Sequence, residues 1–284
     1  MSIPTDGSPL ARLVRKVDDA SSGASAGDTF ATGFPSIDAV LGGGLRRGDL
    51  VVLGGDVGCG KSSLALAIAL RMAESGTAVT YLTSEMTRER LLERALAIEA
   101  RCRVDDLRSR ALNGLARAAV GAVAVRLREK TPRFGTLSGG GPDSVGEALR
   151  RPPLPEVAFI DPLQALACGV RPQIEELASA VRTLKRLAIE LDLAMVVTTQ
   201  LHRGHGSATD SRPDLDDFNA LGAVKQEADQ ILGIFREEMY RPGGGVEGAT
   251  ELLILKNRNG NVGYVDLYFY KQWLRFEDML DPDR

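Results

Sequence analysis

The chain has 284 residues, 44% of them apolar and 26% charged, with a formal net charge of −3. That length accommodates one large α/β domain with a buried core, and the slightly acidic balance excludes a global basic field drawing the chain onto nucleic acid, though not a local channel. Its three cysteines, Cys59, Cys102 and Cys168, are scattered, which argues for reduced thiols over a disulfide frame or zinc site; with no export-type N-terminus and no apolar run of about 18 residues, a cytoplasmic protein without a membrane span is expected.

Residues 9–19 carry Leu10, Leu13, Val14 and Val17 at helical spacing, and a Ser/Gly/Ala-rich stretch follows over 21–28. Residues 1–28 therefore read as an arm with a short helix and a flexible linker, either frayed or docking its apolar stripe on another subunit. From Thr29 to Arg284 the chain reads as one domain without internal repeats. Asp49–Gly54 is expected as a buried strand, followed by a glycine loop and a helix from Lys61 to about Ala73. Ala78–Thr83 reads as a second strand, Thr87–Arg101 as a charged helix, and 109–129 as a further helix. Ser144 and Glu147 have the spacing of a capping box opening a short helix. Val157–Asp161 reads as a third buried strand. Gln173–Leu191 is a long helix with Ile174, Leu177, Val181, Leu184, Ala188 and Leu191 along one face, and Ala194–Thr199 is a fourth strand. A polar loop over 201–217 then leads to a short helix near 221–228 and strands near 230–236, 250–257 and 262–270. The Asn259-Gly260 step between the last two signals a hairpin. This succession predicts a mostly parallel sheet flanked by helices, with antiparallel strands added at one edge.

The most specific signal is the loop Gly55-Asp56-Val57-Gly58-Cys59-Gly60-Lys61-Ser62, continued by Ser63. It follows a buried strand and opens a helix, so glycine-freed backbone N–H groups and a helix N-terminus face one point. That arrangement fits the phosphates of Mg·ATP, with Lys61 reaching the β and γ phosphates and the Ser62 hydroxyl ligating Mg²⁺. Asp161 ends the buried strand VAFID and reads either as an ordinary strand cap or, as the phosphate loop favours, as a carboxylate that can meet Mg²⁺ at the sheet's C-terminal edge. Glu85 follows another strand end and reads either as the base that deprotonates the attacking water or as a solvent-facing residue ahead of a helix capped by Thr87. Gln200 reads equally as a γ-phosphate sensor or as a polar strand terminus. Lys256 and Arg258 leave one face of their strand, either guarding a sheet edge by charge or delivering two cations to a neighbouring subunit's nucleotide.

Together these segments resemble the C-terminal motor domain of DnaB-type replicative helicases, a RecA-like P-loop NTPase family of superfamily 4. The resemblance runs over about 29–277, through TGFPSID (32–38), GGGLRRGDLVVLGG (42–55), TSEMT (83–87), FIDPLQ (159–164), TTQLHR (198–203), GAVKQEAD (222–229) and KNRNGNVG (256–263). It implies Glu85 as catalytic base, Asp161 as metal ligand and Gln200 as the link between nucleotide and DNA. It also implies Lys256 and Arg258 as the pair completing the adjacent subunit's site. Rings of six with ATP between subunits and single-stranded DNA in the channel are implied, as are a loader, a primase or a separate collar protein as partners. The family's N-terminal collar has no counterpart in these residues, and the resemblance offers the helix over 9–19 as a candidate for the family's docking helix. Two departures stand out. Asn219 occupies the arginine position of the family's D-L-R-E-S-G stretch, and Pro162 replaces the tyrosine that commonly follows the metal-binding aspartate. The 201–217 loop holds His202, His205 and two arginines against four aspartates, so it is not a basic, phosphate-tracking loop. The resemblance thus implies an ATP-driven helicase or translocase, with two alternatives: a RecA-fold ATPase switch or assembly protein that does not unwind DNA, and a recombinase-like filament former.

Overall fold

The computed structural model describes residues 28–137, 139–201, 211–218, 220 and 222–279. The strands are β1 (Thr29–Phe30), β2 (Leu45–Arg46), β3 (Leu50–Gly55), β4 (Val79–Thr83), β5 (Arg133–Thr136), β6 (Val157–Asp161), β7 (Ala194–Gln200), β8 (Gln230–Phe235), β9 (Ala249–Asn257), β10 (Gly263–Tyr270) and β11 (Arg275–Asp278). The helices are α1 (Pro35–Val40), α2 (Lys61–Glu74), α3 (Arg88–Ala100), α4 (Val104–Ser109), α5 (Gly114–Glu129), α6 (Gly141–Leu149), α7 (Gln173–Glu190) and α8 (Ala223–Glu227). Among the described residues nine strands form one sheet in the order β11-β10-β9-β8-β3-β7-β6-β4-β5. From β8 to β5 the pairings are parallel, and β9, β10 and β11 add antiparallel at the other edge.

Burial explains the composition of each strand. β3, β4, β6 and β8 are buried at every position, because helices cover both faces of a parallel sheet, and their sequences are near-continuous apolar runs. β9 alternates buried with half-buried residues along most of its length, as expected where an antiparallel edge has one face nearer water. One core layer joins α2 and α3 to the β10–β11 side through Leu64, Ile68, Leu91, Phe269 and Phe276. The other packs α6, α7 and α8 through Val145, Leu177, Val181, Leu184 and Val224.

Several sequence expectations are corrected. The helix expected over 109–129 is α5, but it starts only at Gly114: α4 ends at Ser109, Arg110 is left-handed (φ 58°), and the Asn113 side chain caps α5 by accepting from the Ala116 N–H at 2.8 Å. The Ser144 capping box does not form: α6 already begins at Gly141, and the Ser144 hydroxyl donates back to the Gly141 carbonyl. The Asn259-Gly260 hairpin is present as expected, its loop spanning 258–262 between the antiparallel strands β9 and β10. The strands β1, β2, β5 and β11 and the helix α1 carried no usable apolar period. The edge strand β5 is held by its Arg133 guanidinium, which donates to Thr80 Oγ1 and to the carbonyls of Ala148, Arg151 and Pro153. Helix 9–19 lies outside the described residues. No described helix is long and apolar enough to cross a membrane.

Candidate nucleotide-binding site

β3 delivers the chain at Gly55, and α2 restarts it at Lys61. The turn between them relies on Gly58 (φ 82°) and Gly60 (φ 107°), left-handed conformations that side chains disfavour. A Cβ on Gly60 would also come within 2.9 Å of the Phe276 ring. Gly60 is the N-cap of α2 and supplies no side-chain acceptor, so the helix's first N–H groups and its positive pole stay directed at the cleft. Lys61 is buried, its ammonium donating to the carbonyls of Gly55 (2.9 Å) and Asp56 (2.8 Å). Cys59 packs beneath the loop, where burial pushes its thiol above the ordinary value.

A second cation supports the same loop. Arg236 is 4% exposed and donates to the carbonyls of Gly58 (3.3 Å) and Cys59 (3.5 Å), pairs with Glu238, and lies over the Phe269 ring at 4.6 Å. Burial draws its guanidinium below the ordinary value. The Tyr240 hydroxyl donates to Asp56 Oδ2. Sequence reasoning missed Arg236 and Tyr240, which arrive from beyond β8.

On the opposite wall Asp161 is 1% exposed. Its Oδ1 accepts from the Ser62 hydroxyl at 3.1 Å and from the Thr198 hydroxyl, and its Oδ2 accepts from the Tyr81 hydroxyl at 2.8 Å. Tyr81 stacks on Phe159 at 5.7 Å; burial and the Asp161 charge raise its phenol well above the usual range, so it remains a donor. Tyr81 and Thr198 were also missed, although both stand on strands flanking β6. A carboxylate beside hydroxyl groups is a hard-oxygen set suited to Mg²⁺, and the glycine turn before a helix N-terminus suits phosphate, so the residues present fit Mg·ATP.

Glu85 is exposed at the rim, its N–H donating to Thr83 Oγ1 at 3.1 Å. Gln200 ends β7, and Gln164 grips that tip: its amide donates to Thr199 Oγ1 (3.0 Å) and the Gln200 carbonyl (3.4 Å), and accepts from the Gln200 N–H (3.4 Å). Lys61, Ser62, Glu85, Asp161 and Gln200 line one cleft of about 310 Å³, joined by Arg94 and Lys271. The sequence-expected phosphate, metal and water-activating residues are therefore brought together.

Lys256 and Arg258 are not. Lys256 pairs with Ile231, which is level with Val52 near the start of β3, whereas the phosphate loop leaves the other end of that strand. The Lys256 ammonium donates to the carbonyls of Lys225 and Ala228, both at 2.6 Å. Burial and the Arg258 charge lower it from its ordinary value. Arg258 donates to the Gln226 carbonyl and, at 3.1 Å, to Asp229 Oδ1. Both cations thus cap the C-terminal carbonyls of α8, a favourable pairing of positive charge with the helix's negative end. Asn219 and residues 202–210, including both histidines, lie outside the described residues.

Residues 29–278 match the family described as DnaB-like helicase C terminal domain. The chain is 29% identical over 243 residues to the replicative DNA helicase DnaB of Buchnera aphidicola subsp. Acyrthosiphon pisum, covering 83% of this chain and 53% of that protein. It is 29% identical over 262 residues to the DnaB of Pasteurella multocida, covering 88% and 56%. The chain thus spans about half the length of the curated relatives it matches. Its fold superposes with a TM-score of 0.85 on a solved DnaB-like replicative helicase described with its interactions with primase, at 23% identity over 97% of this chain and 68% of that one. A second solved structure, an isolated ATPase domain, also gives 0.85, at 24% identity, over 97% of this chain and all of that one.

Proposed function

Because the chain belongs to the family of DnaB-like helicase C-terminal domains, we propose that it is an ATP-hydrolysing motor that assembles into a six-membered ring and moves along single-stranded DNA, separating strands. One observation carries this reading. The phosphate loop, Asp161, Glu85 and Gln200 lie at one edge of the parallel sheet, while Lys256 and Arg258 lie at the opposite edge. On this reading a single chain binds the nucleotide at one end and offers the pair of cations at the other end to a neighbouring subunit, which makes the site composite.

In this mechanism the loop amides and Lys61 hold the phosphates, and Ser62 and Asp161 hold Mg²⁺. Mg²⁺ held there by Ser62 and Asp161 would offset the negative charge of the transferring phosphoryl group. Glu85 accepts a proton from the attacking water as its oxygen bonds to the γ-phosphorus and ADP leaves. Gln200, tied to Gln164, carries the γ-phosphate state into the segment after β7. Lys256 and Arg258 approach the phosphates of the adjacent subunit; such a trans cation contributes about 10³–10⁵ in rate. A cytoplasmic location and contacts with a loader, a primase or a separate collar protein accompany this reading.

Steady-state ATPase assays test it. Single-stranded DNA stimulates turnover, Glu85→Ala lowers it by about 10²-fold or more, and mixing Arg258→Ala with Lys61→Ala subunits restores part of the loss. Turnover unmoved by saturating single-stranded DNA at low salt overturns the reading. Asn219, at the family's arginine position, favours a second one, an ATPase switch without strand separation. Unwinding of a forked duplex by the purified chain removes that alternative.

A further inference from the structure

Asp229 is 4% exposed, and three N–H donors converge on its carboxylate. Oδ2 accepts from the backbone N–H of Leu50 at 2.8 Å and from the Lys185 ammonium at 2.6 Å; Oδ1 accepts from the Arg258 guanidinium at 3.1 Å. Its main chain is engaged as well: the Asp229 N–H donates to the Leu50 carbonyl and the Asp229 carbonyl accepts the Arg258 N–H, both at 2.9 Å. Lys185 also donates to the Gly48 carbonyl at 2.8 Å, and Asn259 donates to Asp49 Oδ2 at 2.7 Å. Arg258 is thus anchored at both backbone and guanidinium, while its side chain remains 47% exposed. The same carboxylate fixes the first residue of β3, the strand that ends in the phosphate loop.

We propose that Asp229 is the positioning residue for the Arg258 cation that serves the neighbouring subunit's nucleotide, and that it ties this cation to the strand carrying its own chain's phosphate loop. The inference rests on the trans-cation reading given above. A long, half-exposed arginine has many rotamers, and holding it in one orientation removes an entropic cost at the moment of reaction. An unpaired buried carboxylate is strongly disfavoured, so Asp229, Lys185 and Arg258 constrain one another. The amide in Asp229→Asn offers one oxygen where the carboxylate offers two. With Leu50 and Lys185 on that oxygen, Arg258 faces an NH₂ group and keeps only the Gln226 carbonyl on its guanidinium, so its orientation is loosened.

The test is a double-mutant cycle on the full chain in its nucleotide-bound oligomer, read as kcat and KM for ATP. Asp229→Asn is expected to lower kcat by about 10- to 100-fold with KM nearly unchanged, and to add no loss in the Arg258→Ala background. Mixing Asp229→Asn with Lys61→Ala subunits, which hold an intact Asp229–Arg258 pair but cannot turn over ATP, restores part of the lost turnover. Full kcat in Asp229→Asn, or an equal loss with and without Arg258, overturns the assignment. If Arg258→Ala itself retains full kcat, the trans-cation reading fails instead, so the two failures are distinguishable. Should Asp229→Asn not fold, Asp229→Glu keeps the charge but displaces the carboxylate by one methylene. A loss of kcat that vanishes in the Arg258→Ala background then supports the assignment, and a loss that persists there overturns it.

Discussion

A buried carboxylate is tolerated only when its lone pairs are filled, and Asp161 meets that condition through Ser62, Thr198 and Tyr81. The Tyr81 hydroxyl contributes twice: it offsets desolvation of the charge and aims Oδ1 at Ser62. Tyr81→Phe leaves Oδ2 without its donor, and urea unfolding should show a loss of about 1.5–3 kcal/mol. A change within about 0.5 kcal/mol would mean the hydroxyl is energetically silent. Glu277 shows how charge clusters set pH dependence away from the cleft. Burial alone would raise its carboxyl, but the hydrogen bond and charge of Arg275, with those of Arg71, outweigh burial and hold it below the ordinary value. The folded-state value is depressed, so its stabilisation is fully present above the unfolded carboxylate range, near about pH 4.3, and is lost as pH falls through the folded value. Denaturant midpoints of the native chain should therefore drop below about pH 4.3 more steeply than those of Glu277→Gln; parallel profiles would refute the linkage.

At the scale of elements, each motif residue is positioned by where a strand or helix starts or stops. Thr87 accepts the Arg90 N–H at 3.3 Å and starts α3 two residues after Glu85. Replacing this cap by alanine should cost about 1 kcal/mol, a fall in melting temperature of roughly 2–4 °C for a chain of this size. An unchanged melt would show that packing of Leu91, Ala95 and Ile98 alone sets the helix start. The Thr87 cap was legible because a polar residue preceded a helical period. The break between α4 and α5 was less so, since residues 109–113 carry arginine and alanine that favour helix, and the tertiary fit puts Arg110 in a left-handed turn. β5 and β11 were illegible for a different reason: each has one buried aromatic, Phe134 or Phe276, and the pairing that makes it a strand comes from its neighbour.

For the whole molecule, the cleft is a place where ligand and fold are linked. Mg·ATP at a hundred times its dissociation constant should raise unfolding free energy by about 2.7 kcal/mol, and Lys61→Ala should abolish the accompanying thermal shift; an equal shift in that variant would move the nucleotide elsewhere. The phosphate loop, the Asp161 strand end, the alternation of strands and helices and the closing hairpin were determined by the sequence itself. Each is a local pattern in which backbone propensity and side-chain chemistry act over a few neighbouring residues. Only the tertiary structure decided that Tyr81 and Thr198 flank Asp161, that Arg236 returns beneath the glycine loop, and that Asp229 joins Leu50 to Arg258. These contacts follow from the strand order β8-β3-β7-β6-β4, which places residues far apart in the chain side by side. No periodicity along one strand encodes which strand becomes its neighbour; that is set by the mutual burial of all their faces at once.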